Sequence, residues 1–235
     1  MRALKAFALL LEYPNEEILA ATDEFRVLFE SEPALPATHA AALRKFAEAR
    51  LRSGLFDAQA DYVALFDSLP GASLYLFQHL YGDSRDRGPA LLELIEMYRE
   101  TGLELSTRET ADYLPVFLEF ASLLPDGEAR ALLGGAAHVF EILRRRLKEW
   151  RSPYAEVFAA LVALSASAPD QTELDRLLAQ KVRGPEEFGA LDREWEERPV
   201  EFTEKSAVDP LDPEKPACAA PRAASGQGGV APCRR

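Results

Sequence analysis

Apolar residues recur at three- and four-residue spacing along almost the whole chain to about residue 181, and no alternating run of β-branched residues is long enough to form a strand. That pattern leaves helix-on-helix packing as the means of burying apolar surface, so the expected fold class is all-α. A chain of 235 residues is long enough for one sizeable core. Breaks punctuate the pattern and divide it into helices. The first runs over 2–12 and stops near Pro14. Asn15 caps a second with Ile18, Leu19, Phe25, Leu28 and Phe29 on its face, and a third ends near Arg52, with Gly54 suited to its left-handed end. Further helices are expected over 56–67 and 71–80. Another follows through Leu91, Leu94, Ile95 and Tyr98 to Gly102, and one covers 109–124 with Pro115 in its first turn or at a kink. Asp126 is expected to cap a long helix reaching Trp150, Ser152-Pro153 to open one running to about Ala168, and Asp170 to open one ending near Lys181. Periodicity then fades into an acidic stretch around Phe188 and Trp195. Beyond Phe202, Pro, Ala, Gly and Ser cannot bury enough apolar surface to offset ordering entropy. The expected organisation is a single globular helical domain over 1–202 and a disordered tail over 203–235.

Charge narrows the partners. Against 27 Lys and Arg stand 39 acidic residues, a formal charge of −12, which repels nucleic-acid backbones and anionic membranes and accommodates a basic partner. Solubility alone is an equally simple account of that charge. The apolar run Phe7 to Leu11 is interrupted by Glu12 and Pro14, too early for a signal peptide, and no later segment approaches the roughly 20 apolar residues of a membrane span. A cytoplasmic location is expected. The two cysteines, Cys218 and Cys233, both lie in the tail and make no disulfide framework.

Chemistry-bearing motifs are sparse. His39, His79 and His138 are far apart, with no HExxH, CxxC, nucleophile-elbow or phosphate-loop pattern, so neither a metal site nor an enzyme is expected. Gly134-Gly135 reads as a close helix–helix contact. One dense polar string runs from His79 through Gly82, Ser84, Arg85, Asp86 and Arg87 to Gly88. Two readings stand for it: Asp86 caps the next helix while the arginines satisfy neighbouring groups, or the helix start together with Arg85 and Arg87 receives an anion. A second string, Asp112 to Phe120, has an acid near each end, Asp112 and Glu119, seven positions apart. On a regular helix these share one face. That string is either core with two surface acids or the rim of a groove for a basic amphipathic peptide.

The strings Tyr62-Val63-x-x-Phe66-Asp67, Ser73-Leu74-x-Leu76-Phe77-x-His79, Gly82-x-Ser84-Arg85-Asp86-Arg87-Gly88-x-Ala90 and Asp112-x-Leu114-Pro115-x-x-Leu118-Glu119-Phe120, closed by Trp195-Glu196-Glu197-x-Pro199-Val200, occur in one order. Over about residues 5–202 this resembles the NarJ family, the delta subunits of respiratory nitrate reductases, within the wider TorD-like group. The resemblance implies an all-helical, non-enzymatic chaperone. Its partner would be the catalytic (alpha) subunit, bound through that subunit's N-terminal segment, with insertion of the molybdenum guanine dinucleotide cofactor promoted before assembly. The cofactor would be contacted transiently and not held stably; the chaperone would be a monomer or weak homodimer that binds no nucleic acid and does not insert stably in the membrane. On this basis the peptide site is expected to comprise Asp112 and Glu119 as rim acids over a floor of Leu76, Phe77, Tyr81, Leu114 and Phe117. The string of His79, Gly82, Ser84, Arg85, Asp86, Arg87 and Gly88 is expected to serve cofactor delivery. Tyr113 stands where many relatives carry histidine. Two other functions remain open: a chaperone for another molybdoenzyme or redox subunit, and a small hydrolase using His79 with Asp83 or Asp86.

Overall fold

Apolar stripes at helical spacing become eleven α-helices among the described residues of the computed structural model, which are 1–105, 109–179, 182 and 184–186. The helices are α1 (Arg2–Leu10), α2 (Glu16–Ala20), α3 (Thr22–Ser31), α4 (Ala37–Tyr62), α5 (Leu76–Tyr81), α6 (Arg87–Glu100), α7 (Leu114–Leu123), α8 (Asp126–Gly135), α9 (Ala137–Glu149), α10 (Ala155–Leu164) and α11 (Gln171–Leu178). No strand forms among these residues; a single antiparallel bridge pairs Tyr75 with Tyr113. The fold is all-α, as the periodicity requires. The tail over 203–235 and the closing Trp195 to Val200 segment lie outside the described residues.

Local chemistry accounts for several helix ends. The Asn15 side chain accepts the Ile18 N–H at 2.8 Å, and the Asp170 side chain accepts the Glu173 N–H at 3.0 Å, so both expected caps are made. Gly82 and Gly102 end α5 and α6 at positive φ. Gly54, at φ 82° and ψ 172°, bends α4 into two arms where two separate helices were expected.

Several boundaries differ from expectation. The second expected helix breaks at Ala21 into α2 and α3. The helix expected over 71–80 is a short 3-10 turn over Pro70–Ala72 followed by α5. α7 starts at Leu114, with Tyr113 extended before it and Pro115 in its first turn, where a missing N–H costs little. Asp126 is not a cap: it lies inside α8 and accepts a bond from the N-terminal amine at 3.0 Å. The long helix expected to Trp150 divides at Ala136 (φ −100°, ψ 2°). α10 opens after Pro153, at Ala155, and ends at Leu164. Gly134 does sit tightly, but against Ser167 in the turn after α10, while Gly135 has open space.

The core joins three packed pairs. α3 lies along α4, α9 along α10, and α1 along α7, far away in sequence. Leu4, Phe7 and Leu11 of the first segment are fully buried, as are Leu114 and Leu118 of α7, Phe140 and Leu143 of α9, and Phe158 and Leu161 of α10. Phe7 stacks on Phe29 with centroids 5.0 Å apart, tying α3 to the same cluster. No helix among the described residues is long and apolar enough to cross a membrane.

Candidate functional site

α5 has only six residues and begins at Tyr75 with no side-chain cap of its own. Its first N–H groups are satisfied from a distant part of the chain. Leu76 N–H donates to the Asp112 carbonyl at 3.0 Å, and Phe77 N–H donates to Asp112 Oδ2 at 3.1 Å. Leu114 N–H returns a bond to the Leu74 carbonyl at 2.8 Å, completing the bridge around Tyr75 and Tyr113. The Thr110 hydroxyl donates to Asp112 Oδ1 at 2.5 Å, and Arg87 Nη2 lies 3.5 Å from Oδ2. Asp112 is therefore fully buried and works as a cap in trans, clasping the start of α5 to the start of α7. It does not stand on a rim or share a helix face with Glu119, because the chain is extended until Leu114.

The His79 to Gly88 string is likewise distributed among separate tasks. His79 is buried, and Nε2–H donates to the Ser73 carbonyl at 2.8 Å. Burial drives its pKa down to about 4, so the ring is neutral at neutral pH. Gly82 turns the chain at φ 53°. The Ser84 hydroxyl donates to Asp86 Oδ2 at 3.0 Å and accepts the Asp86 N–H at 3.2 Å, so Asp86 occupies the N-cap position of α6 without capping through its side chain. Arg87 is turned inward to Asp112 while Arg85 and Gly88 remain exposed, so the two arginines do not converge as an anion cradle. The hydrolase arrangement is not assembled either: His79 is buried on Ser73, and Asp83 and Asp86 are exposed. Among the described residues no group of three His, Cys, Asp or Glu side chains could hold a metal ion.

Of the expected floor residues, Leu76, Leu114 and Phe117 are core. Phe77 and Tyr81 form an edge-to-face pair at 5.5 Å on the outside of α5, Tyr81 being 37% exposed. The groove that does exist lies on the other side of α7. Leu103, Leu105, Val116 and Leu123 line a cavity of about 230 Å³ with the buried Tyr98–Phe120 ring pair, centroids 4.3 Å apart, and Glu104 and Glu119 line it too. α7 is apolar on nearly all sides, so once Leu114, Phe117 and Leu118 enter the core a second apolar stripe remains, and Leu123 on it is 62% exposed. Glu119 is exposed and bonded to Lys5 Nζ at 3.2 Å. The Glu12 carboxyl nearby is raised in pKa, first by burial and then by the Glu119 charge, with Lys5 opposing. Tyrosines continue the surface. The Tyr75 hydroxyl donates to Glu109 Oε2 at 2.5 Å, the Tyr75 and Tyr113 rings lie 5.3 Å apart, and the Tyr113 and Tyr62 hydroxyls are 3.2 Å apart. Burial raises the Tyr113 pKa, with Glu109, Glu12 and Asp67 adding to it.

Sequence reasoning missed Leu103, Leu105, Val116 and Leu123 as groove walls and Glu104 as an acid beside Glu119. The row Val116, Phe120, Leu123, spaced four and three on a helix whose opposite stripe is already committed, was the signal available.

The family model described as nitrate reductase delta subunit matches residues 32–160, a span that contains α4 through α9 and the groove-lining residues of α6 and α7. The chain is 35% identical over 208 residues to a probable nitrate reductase molybdenum cofactor assembly chaperone, NarW, of Escherichia coli K12, covering 88% of this chain and 87% of that protein. It is 37% identical over 193 residues to the nitrate reductase molybdenum cofactor assembly chaperone NarJ of the same strain, covering 82% and 81%. A probable chaperone of the same description from Bacillus subtilis is 29% identical over 165 residues, 67% of this chain and 85% of that protein. With a family match over more than half its length and relatives aligned over most of theirs, the chain belongs to the nitrate reductase delta subunit family.

Proposed function

We propose that this chain is an assembly chaperone for a respiratory nitrate reductase, binding the N-terminal segment of the apo catalytic subunit while the molybdenum cofactor is inserted. The names of its relatives support the chaperone role and the client. The single observation that carries the peptide-binding part is the apolar groove between the end of α6 and α7 with Glu104 and Glu119 in its lining. An amphipathic client helix lays its apolar face on Val116 and Leu123 and brings its basic residues to Glu119 and Glu104. Asp112 contributes indirectly, by fixing where α7 begins. Phe77 and Tyr81 extend the contact along α5.

The chaperone domain is taken as 1–202 with 203–235 as a tail, acting in the cytoplasm as a monomer or weak homodimer and catalysing no reaction of its own. The cofactor is cargo of the client, and exposed Arg85 and Ser84 offer it a transient polar contact rather than a resident site.

Calorimetric titration with a peptide copying the client's N-terminal segment, beside scrambled and charge-reversed peptides, tests the reading. Selective binding at micromolar affinity or tighter is expected, weakened by about 0.5–1 kcal/mol in Glu119→Ala. No binding of the native peptide at any pH tried, or equal binding of the charge-reversed one, would overturn the proposed groove.

A further inference from the structure

α4 bends at Gly54, and its two arms form opposite walls of a second cavity, of about 410 Å³, that shares no lining residue with the groove on α7. Phe46, Ala49, Arg50 and Ser53 come from the first arm. Ala58, Asp61, Ala64 and Leu65 come from the second arm and the turn after it, and Ser152, Pro153, Tyr154 and Pro185 complete the lining. Arg50 is only 8% exposed. Its Nη1 donates to the Leu10 carbonyl at 3.2 Å and to the Tyr154 hydroxyl, and its guanidinium lies over the rings of Phe46 and Tyr154 at 5.9 and 5.2 Å. Nε and Nη2 have no partner and are closed to solvent.

Those two nitrogens are not an arbitrary pair. Nε–H and one Nη2–H point in parallel along one edge of the guanidinium, the edge that grips a carboxylate through two hydrogen bonds. A buried cation with that edge bare lacks the partner that normally justifies burying it. The remaining lining is mostly apolar, which suits a hydrocarbon or aromatic body. Asp61 also lines the cavity, and its negative charge disfavours a multiply charged phosphate more than a monocarboxylate. The walls are the two arms of α4, and admitting a ligand to the closed edge requires those arms to part about Gly54.

We propose that the cavity astride Gly54 is a binding site for a small amphiphilic monocarboxylate, admitted as the two arms part, its carboxylate held bidentate by Arg50 Nε and Nη2 and its apolar body lying against Phe46, Leu65 and Pro153. The site is independent of the client groove, so either can fail without the other.

The test is titration of the full chain with octanoate, octyl phosphate, octanol and octylamine, read by calorimetry and by the arginine Nε–H resonances in ¹⁵N-edited NMR. Octanoate is expected to bind saturably, at least about tenfold more tightly than octanol or octylamine, and to shift the Arg50 Nε–H signal. Arg50→Lys keeps the charge and loses the fork, and should remove the preference for carboxylate over alcohol. Ala64→Phe fills the lining from an exposed position without touching the guanidinium, and should abolish binding even if Arg50→Lys does not fold. Equal binding of octanol, an unmoved Arg50 signal, or octanoate binding that survives Ala64→Phe would each overturn the site. Preference for octyl phosphate would replace monocarboxylate by phosphate and overturn the assigned ligand class.

Discussion

Replacing Asp112 by alanine should destabilise the fold far more than it affects any surface interaction. The carboxylate is fully buried and accepts the Phe77 N–H, the Thr110 hydroxyl and an ion pair from Arg87. Removing it strands the Phe77 N–H at the start of α5, which costs about 1–2 kcal/mol. Arg87 is 31% exposed and Thr110 is exposed, so both regain water and together add about 1 kcal/mol. The sum is about 2–3 kcal/mol, and with a urea slope near 2 kcal/mol/M the midpoint should fall by about 1–1.5 M. Asp112→Asn retains an oxygen acceptor for Phe77 and loses only the charge, so it should cost about 1 kcal/mol. Urea titration followed by far-ultraviolet circular dichroism measures both. A cost below about 1 kcal/mol for alanine refutes the capping argument, and an asparagine cost equal to the alanine cost refutes the assignment of the main contribution to the N–H rather than the charge. Glu119→Ala, exposed and bonded only to exposed Lys5, should leave the midpoint unchanged while weakening the client peptide.

Other consequences are equally direct. His79 titrates near 4 when folded against an ordinary value of 6.5. The unfolded chain thus binds more protons between those values, and stability present above about pH 6.5 should be lost as pH falls toward 4, by at most about 1.4 kcal/mol per pH unit; urea titrations of wild type and His79→Gln across that window should differ in slope, the variant being flatter. Gly54→Ala meets no atom within 4 Å but must hold φ 82° and ψ 172°, so it should cost about 1–3 kcal/mol through backbone strain alone, read as a lowered urea midpoint. Tyr154→Phe removes an acceptor for buried Arg50 and should cost about 1–2 kcal/mol in the same assay while leaving client binding intact.

The helices were legible because each carries its own apolar stripe and, at Asn15, Gly54, Gly82, Gly102 and Asp170, a residue whose local chemistry sets an end. Breaks made without such a residue were not. Nothing at Ala21 or Ala136 announces a change of direction, since neither residue carries a cap or a backbone preference that would end a helix. The site was legible only in part for a related reason. Spacing places Asp112 and Glu119 two turns apart on an imagined helix, but whether the chain is helical at Asp112 depends on Leu74 and Leu76, nearly forty residues earlier, forming a bridge to it. Arg50 carries no distinguishing signal in the sequence, since its burial arises from Leu10 and Tyr154, each distant in sequence.

The pairing of α1 with α7 has a consequence for biosynthesis. On the ribosome, Leu4, Phe7 and Leu11 emerge more than a hundred residues before Leu114 and Leu118, while α3, through Phe29, and α4, through Arg50 and Tyr62, arrive earlier. At roughly 5–20 residues per second, the interval before α7 is made is on the order of 6–20 s. During that interval the apolar stripe of the α1 segment lacks its α7 partner, much as the client segment that the finished protein is proposed to shelter lacks its own.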